Sequence, residues 1–258
     1  VTVIFSVENR VARITLNRPD RLNAVDAETE STLDAIWSDI ERRDDISCVV
    51  VTGAGEKAFC AGADLKGGSG ASGLEYWAQT RTNGFGGLAF RKTLDVPVIA
   101  RVNGYALGGG FEMVLGCDIV IAAEMASFGL PEARVGRMPL DGGMVLLQRK
   151  IPFNQAMGVM LTGRRFSAAE MQNFGIVNEI VPAAELDAAV DRWVAEIVAC
   201  APLSLKAIKQ TVNRTGHLNV AEAQALRTPA LIRALQSEDA QEGVVAFREK
   251  RAPVWQGR

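Results

Sequence analysis

At 258 residues the chain has room for one large domain, or a main domain with a small appendage, since domains take roughly 100 to 200 residues. Hydrophobic residues make up 48% and charged residues 22%, an ordinary globular balance that excludes a disordered tail protein and a disulfide scaffold. With 28 Lys+Arg against 30 Asp+Glu the net charge is -2, so no positive field exists to hold a phosphate backbone, and nucleic acid is excluded as a partner.

In chain order, residues 3–7 and 11–16 read as two strands around the polar turn Glu8-Asn9-Arg10, and Pro19 stops the pairing. A helix begins after Asp26 as N-cap, with Leu33, Ile36, Trp37 and Ile40 on one face directed to the core. The apolar runs 48–52 and 96–102 have the look of strands buried on both sides. Residues 119–122 and 176–181 are further strand candidates, so the chain to about Val181 alternates in β-β-α or β-α units. Ser167-Ala168-Ala169-Glu170 has the form of a capping box opening a short helix that Gly175 closes. From Glu185 strand signals stop, and helical stretches punctuated by Pro202, Gly216, Pro229 and Gly243 define a helical unit from about residue 200.

Four cysteines, at 48, 60, 117 and 200, form no C-x-x-C pair and read as reduced core residues of a cytoplasmic protein, with no metal site implied. Residues 1–8 show no export signal. The richest apolar stretch, 104–123, is interrupted by Glu112 and Asp118, too broken for the about 18 apolar residues of a membrane span. The segment Gly53-Ala54-Gly55-Glu56 starts like a dinucleotide fingerprint but has Ala at position 58, and a tight strand exit explains it better. His217, the only histidine, lies in a polar stretch and reads as exposed, so chemistry through a histidine base is not expected.

Three stretches carry candidate chemistry. In Asn103-Gly104-Tyr105-Ala106-Leu107-Gly108-Gly109-Gly110-Phe111-Glu112 a glycine run follows a buried strand and opens a helix, which exposes N–H groups to an anion or polarised oxygen. Glu112, on that helix among apolar neighbours, either faces outwards as a cap or is buried with a partner or a function. Ala126-Ser127-Phe128-Gly129-Leu130-Pro131-Glu132 places a second carboxylate after an apolar turn, and two such glutamates can flank one reacting centre with pKa values pushed apart. Phe59-Cys60-Ala61-Gly62-Ala63-Asp64-Leu65-Lys66 adds a small-residue turn, in which Asp64 alone reads as a cap and Lys66 as a solvated residue.

Taken together and in this order, these stretches resemble the crotonase (enoyl-CoA hydratase/isomerase) superfamily over essentially the whole chain. The resemblance implies an α/β, crotonase-like (ClpP/crotonase) fold of repeated ββα units. It divides the chain into a core over 1–199 and a helical C-terminal oligomerisation region over 200–258, assembled as a trimer or hexamer. It further implies an acyl-coenzyme A substrate, with coenzyme A as part of the substrate and no other cofactor. The thioester oxygen would be held by the backbone N–H groups of Ala63 and Gly109, which act through geometry rather than side chains. Ala61, Ala63, Asp64, Leu65 and Lys66 would line the coenzyme A site, with Phe247 and Lys250 reaching its adenine end.

Glu112 and Glu132 match the two glutamates of hydratases. The implied reaction is reversible syn addition of water to a 2-enoyl thioester, Glu112 activating water and Glu132 exchanging the α-proton. One departure is Pro139-Leu140-Asp141-Gly142-Gly143, where many hydratases have Pro-Gly-Ala-Gly-Gly. With similarity to carnitinyl-CoA dehydratases in the 110–112, 127–133 and 237–255 segments, this places Asp141 against a polar or cationic acyl tail. The alternatives on the same fold are enoyl-CoA isomerisation, thioester hydrolysis and a non-enzymatic scaffold role.

Overall fold

The structure is a computed structural model that describes residues 1–64, 73–79 and 81–258. Leu65 and Lys66 therefore lie outside the described residues. In chain order the elements are β1 (Val3–Glu8), β2 (Val11–Leu16), α1 (Ala27–Arg42), β3 (Cys48–Gly53), β4 (Ala58–Cys60), α2 (Gly73–Ala78), β5 (Val98–Val102), β6 (Tyr105–Leu107), α3 (Gly109–Leu115), β7 (Ile119–Ala123) and β8 (Ser127–Gly129). There follow α4 (Gly143–Lys150), α5 (Phe153–Thr162), β9 (Phe166–Ser167), α6 (Ala168–Phe174), β10 (Glu179–Val181), α7 (Leu186–Val198), α8 (Pro202–Thr215), α9 (Val220–Ala225), α10 (Pro229–Leu235) and α11 (Glu238–Glu249).

Two sheets share the strands. The larger runs β1-β2-β3-β5-β7-β10 and is parallel except for the β1–β2 hairpin. The smaller runs β4-β6-β8-β9, with β4, β6 and β8 parallel. Each of the successive pairs β3–β4, β5–β6 and β7–β8 thus gives one strand to each sheet, the repeated ββα plan. The C-terminal ends of β4, β6 and β8 lie side by side, Cys60 opposite Ala106 and Leu107 opposite Gly129. Parallel strands commonly place ligands at such ends.

The helix α1 forms as its spacing predicts: Asp26 accepts from Thr29 N at 2.9 Å, and Leu33, Trp37 and Ile40 are fully buried while Ile36 is half-buried. Its buried face holds the segment 85–91 in place. Trp37 Nε1 donates to the Gly86 carbonyl at 2.9 Å, and the buried Arg91 donates to that of Gly87 and pairs with Asp34 and Glu41. The capping box at Ser167 and the closure at Gly175, with φ 92°, are both present.

Several boundaries differ from the sequence reading. The strand expected from 96 begins at Val98 because Pro97 has no N–H to give to a ladder. The strand expected over 176–181 shortens to Glu179–Val181 because the N–H groups of Ile176 and Val177 close α6 by donating to Met171. Gly243 does not break a helix: it lies inside α11, where a Cβ would come within 3.3 Å of the Trp255 ring. Cys200 is exposed rather than core, whereas Cys48, Cys60 and Cys117 are buried.

On the outer face of the large sheet, α7 buries Leu186, Ala189, Val190 and Val194 against Val11, Cys48, Val50, Ile99 and Ile121. Helices α8 and α10 share a small core of Leu203, Ala207 and Ala234. Lys209 ties α8 to the main body through Asp118 at 2.7 Å and the Val96 carbonyl at 2.8 Å. Among the described residues no helix is long and apolar enough to cross a membrane.

Candidate active site

Three turns meet at the ends of β4, β6 and β8. In the first, Ala63 forms a parallel bridge with Val25, and the bonds run through its neighbours: Val25 N–H donates to Gly62 and Asp64 N–H to Val25, both at 2.9 Å. The bridging residue of a parallel pair directs its own N–H off that ladder, and Ala63 N–H has no acceptor among the described residues. In the second turn Gly109 begins α3, so its N–H is one of the orphan donors of a helix start. The turns touch: at Gly62, with φ 95°, a Cβ would lie 3.2 Å from Gly109 N. Gly109 has no space for a side chain, since a Cβ there would lie 2.4 Å from the ring of Phe85, the residue positioned by α1. Two backbone donors are thereby brought together against a rigid apolar backing.

Beside them lie the two carboxylates. Glu112, on the first turn of α3, is 3% exposed, so it neither faces outwards nor caps the helix. Its Oε1 accepts from Asp141 N at 3.0 Å and from Gly143 N at 2.8 Å. Burial pushes its pKa up to about 8, against the two N–H bonds and with help from the charges of Asp141 and Glu132. Glu132 follows β8 on a short 3-10 turn opened by Pro131, and its Oε1 lies against Gly108, 2.9 Å from where a Cβ would sit. Its Oε2 is buried without a hydrogen-bond partner among the described residues, and burial raises this carboxyl as well.

The remaining candidates are placed as follows. The Ala61 N–H is spent on the Leu22 carbonyl at 3.0 Å. Asp64 pairs with Arg18 at 2.9 Å, and the same guanidinium reaches Asp26 at 3.0 Å. Asp141 is buried, and its carboxylate is engaged: Tyr76 donates its hydroxyl to Oδ2, and Arg81 Nε lies 3.2 Å from Oδ1. An acyl tail reaching Asp141 would have to compete with that pairing. Phe247 and Lys250 are exposed at the end of α11, which packs on α10, and among the described residues neither touches the carboxylate pair. His217 is exposed. Among the described residues no group of three His, Cys, Asp or Glu is arranged to hold a metal ion.

The glycine turn after β3 is braced, not open to phosphate. The buried Asn103 amide donates to the carbonyls of Gly53 at 2.9 Å and Gly55 at 2.6 Å, and Asn23 to those of Ala54 and Ala58. Sequence reasoning named Asn103 only as the start of the glycine stretch, not as a brace, and missed Asn23, Tyr76, Arg81 and Glu30. A lone Asn or Arg far from its partner carries no local signal.

The enoyl-CoA hydratase/isomerase family profile matches residues 6–258. The chain belongs to this family. As an enoyl-CoA hydratase/isomerase family member it is 39% identical over 258 aligned positions to the carnitinyl-CoA dehydratase of Proteus mirabilis strain HI4320, covering 98% of each chain. It is 40% identical over 252 positions to that of Escherichia coli strain K12, covering 96% of this chain and 95% of the relative. The structure of an enoyl-CoA hydratase from Bacillus anthracis matches it with TM-score 0.93 at 33% identity, each chain fully covered. The expected crotonase-like α/β architecture is the fold of this family member.

Proposed function

We propose that the protein is a hydro-lyase that adds water reversibly, and syn, across the double bond of a 2-enoyl-CoA thioester. The observation that carries this reading is the pair of glutamates, Glu112 buried and Glu132 half-buried, both with raised pKa, set beside two unspent backbone N–H groups. The thioester oxygen accepts from Ala63 N and Gly109 N, and these donors take the negative charge that develops on it as the enolate forms. In hydration the Glu112 carboxylate removes a proton from water as its oxygen bonds to the β-carbon, and the Glu132 acid delivers a proton to the α-carbon. Dehydration runs the same transfers backwards, from the acid form of Glu112 and the carboxylate of Glu132. The pair holds one proton before and after either direction.

We assign a carnitinyl-type acyl chain as the substrate, supported by the identity to the two carnitinyl-CoA dehydratases. Asp64, Leu65 and Lys66 are assigned to the coenzyme A site and Phe247 and Lys250 to its adenine end. Helices α8 to α11 are assigned to oligomer formation, a reading supported by the exposed apolar side chains of Val212, Leu235 and Phe247.

The test follows the ultraviolet absorbance of crotonyl-CoA and crotonobetainyl-CoA with wild type, Glu112→Gln and Glu132→Gln. Loss of the conjugated double bond to a 3-hydroxyacyl product is expected, faster with crotonobetainyl-CoA, and slowed about 10² to 10⁴-fold in each variant. Release of free coenzyme A thiol, or a shifted double bond without added water, would instead establish a hydrolase or an isomerase.

A further inference from the structure

Both hydrogen bonds to Glu112 come from one turn, the N–H groups of Asp141 and Gly143 converging on a single oxygen. Such convergence lasts only while the turn backbone is held, and the turn contains Gly142, at φ 150° and ψ −34°, which by itself leaves the backbone free to move. The hold comes from the Asp141 side chain. Its Oδ2 accepts the Tyr76 hydroxyl, and its Oδ1 lies 3.2 Å from Arg81 Nε, close enough to pair in charge though not aligned as a hydrogen bond. The Arg81 guanidinium sits 4.7 Å from the Tyr76 ring centre and reaches across to Glu30 on α1. Three segments far apart in the chain are thus fastened at the residue whose backbone grips Glu112.

We propose that Tyr76 and Arg81 are positioning residues for Glu112: by clamping the Asp141 carboxylate they keep the Asp141 and Gly143 N–H groups directed at it, and Arg81 offsets the Asp141 charge. This rests on the reading of Glu112 as a proton-transfer group. It gives Asp141 an internal task in place of a substrate contact.

Among the described residues, the charged groups that bear most on Glu112 are Asp141 in this turn and Glu132 after β8, both acidic. Of the other elements packed on α3, the segment 85–87 carries no ionisable side chain, β4 adds only Cys60 and β6 only Tyr105. The Arg149 and Lys150 of α4 lie in its last turn, away from Gly143. Among the described residues Arg81 is the cation paired with Asp141, the acidic neighbour of Glu112. Releasing the clamp should weaken N–H donation and leave Asp141 less neutralised, and both changes favour the protonated form of Glu112.

The test is a carbon-13 NMR titration of the Glu112 side-chain carboxyl, assigned by its loss in Glu112→Gln, in wild type, Tyr76→Phe, Arg81→Gln and Arg81→Lys. The midpoint, about 8 in the wild type, should rise by about one pH unit in Tyr76→Phe and Arg81→Gln, with Arg81→Lys recovering part of the shift. Tyr76→Phe removes one oxygen from a half-buried side chain, so a folded protein is expected. A variant that melts lower than wild type but titrates Glu112 at the wild-type midpoint would overturn the proposal and leave these residues a structural role only. The titration needs no turnover. A wild type that hydrates no enoyl thioester would remove the functional reading while the midpoints still decide on the clamp.

Discussion

Gly109 is a residue whose whole contribution is the absence of a side chain. A methyl group there would strike the Phe85 ring at 2.4 Å, so either Phe85 or the start of α3 must shift, and the N–H would leave its place beside Ala63. Gly109→Ala should therefore lose about 10² to 10³ in kcat, the usual effect of one oxyanion donor, measured alongside a circular dichroism spectrum that stays unchanged. Glu112 carries two further expectations. Turnover in either direction needs one proton on the carboxylate pair, so kcat/KM should fall on the basic side with a midpoint near 8, at the same pH for hydration and for dehydration. The second concerns stability. The unfolded chain ionises this carboxyl near its ordinary value of 4.5, while the folded protein keeps it neutral to about 8. The folded state then binds more protons in between, and its stability drains away as pH rises across that window. Glu112→Gln, which cannot ionise, should gain in melting temperature over wild type progressively between pH 5 and pH 8, and a constant difference would contradict the assignment.

At the scale of elements, what holds the turns is local in some places and distant in others. Ser167 caps α6 in a reciprocal box with Glu170, and Ser167→Ala should cost about 1 kcal/mol of stability in chemical denaturation. Asn103 reaches across to the β3–β4 connection, and Asn103→Ala leaves buried carbonyls without a donor, at about 1 to 3 kcal/mol. The first of these devices was legible in the sequence and the second was not, for a physical reason. A cap, the amphipathic face of α1, the opening hairpin and the glycine start of α3 are written within a few residues of one another. The two glutamates were visible as odd carboxylates among apolar neighbours, able to flank one centre, and their separate roles followed from resemblance. The grip of Asn103 on Gly53, or of Arg81 on Asp141 and Glu30, joins residues separated by dozens of positions and leaves no pattern in the sequence. Strand ends were misplaced where a competing hydrogen bond decided them, as at Val177, and Gly243 was misread because the Trp255 ring that fills its space comes from the following segment.

At the scale of the whole molecule, α8 is fastened to the main body through Lys206 to Asp44, Lys209 to Asp118 and the Val96 carbonyl, and Gln210 to Asp95. Lys209→Met should raise amide exchange in α8 while leaving the protection of β3, β5 and β7 unchanged, as hydrogen-exchange mass spectrometry would read. The three turns of the site belong to three successive strand pairs, and each is brought to its neighbours only when β4, β6 and β8 align in register. Parallel pairing of this kind joins distant parts of the chain and is slow to form. In a refolding experiment helical signal and burial of Trp37 should thus return before catalysis does. The protein becomes an enzyme only once its smaller sheet is in register, and recovered turnover is a clock that cannot run ahead of that event.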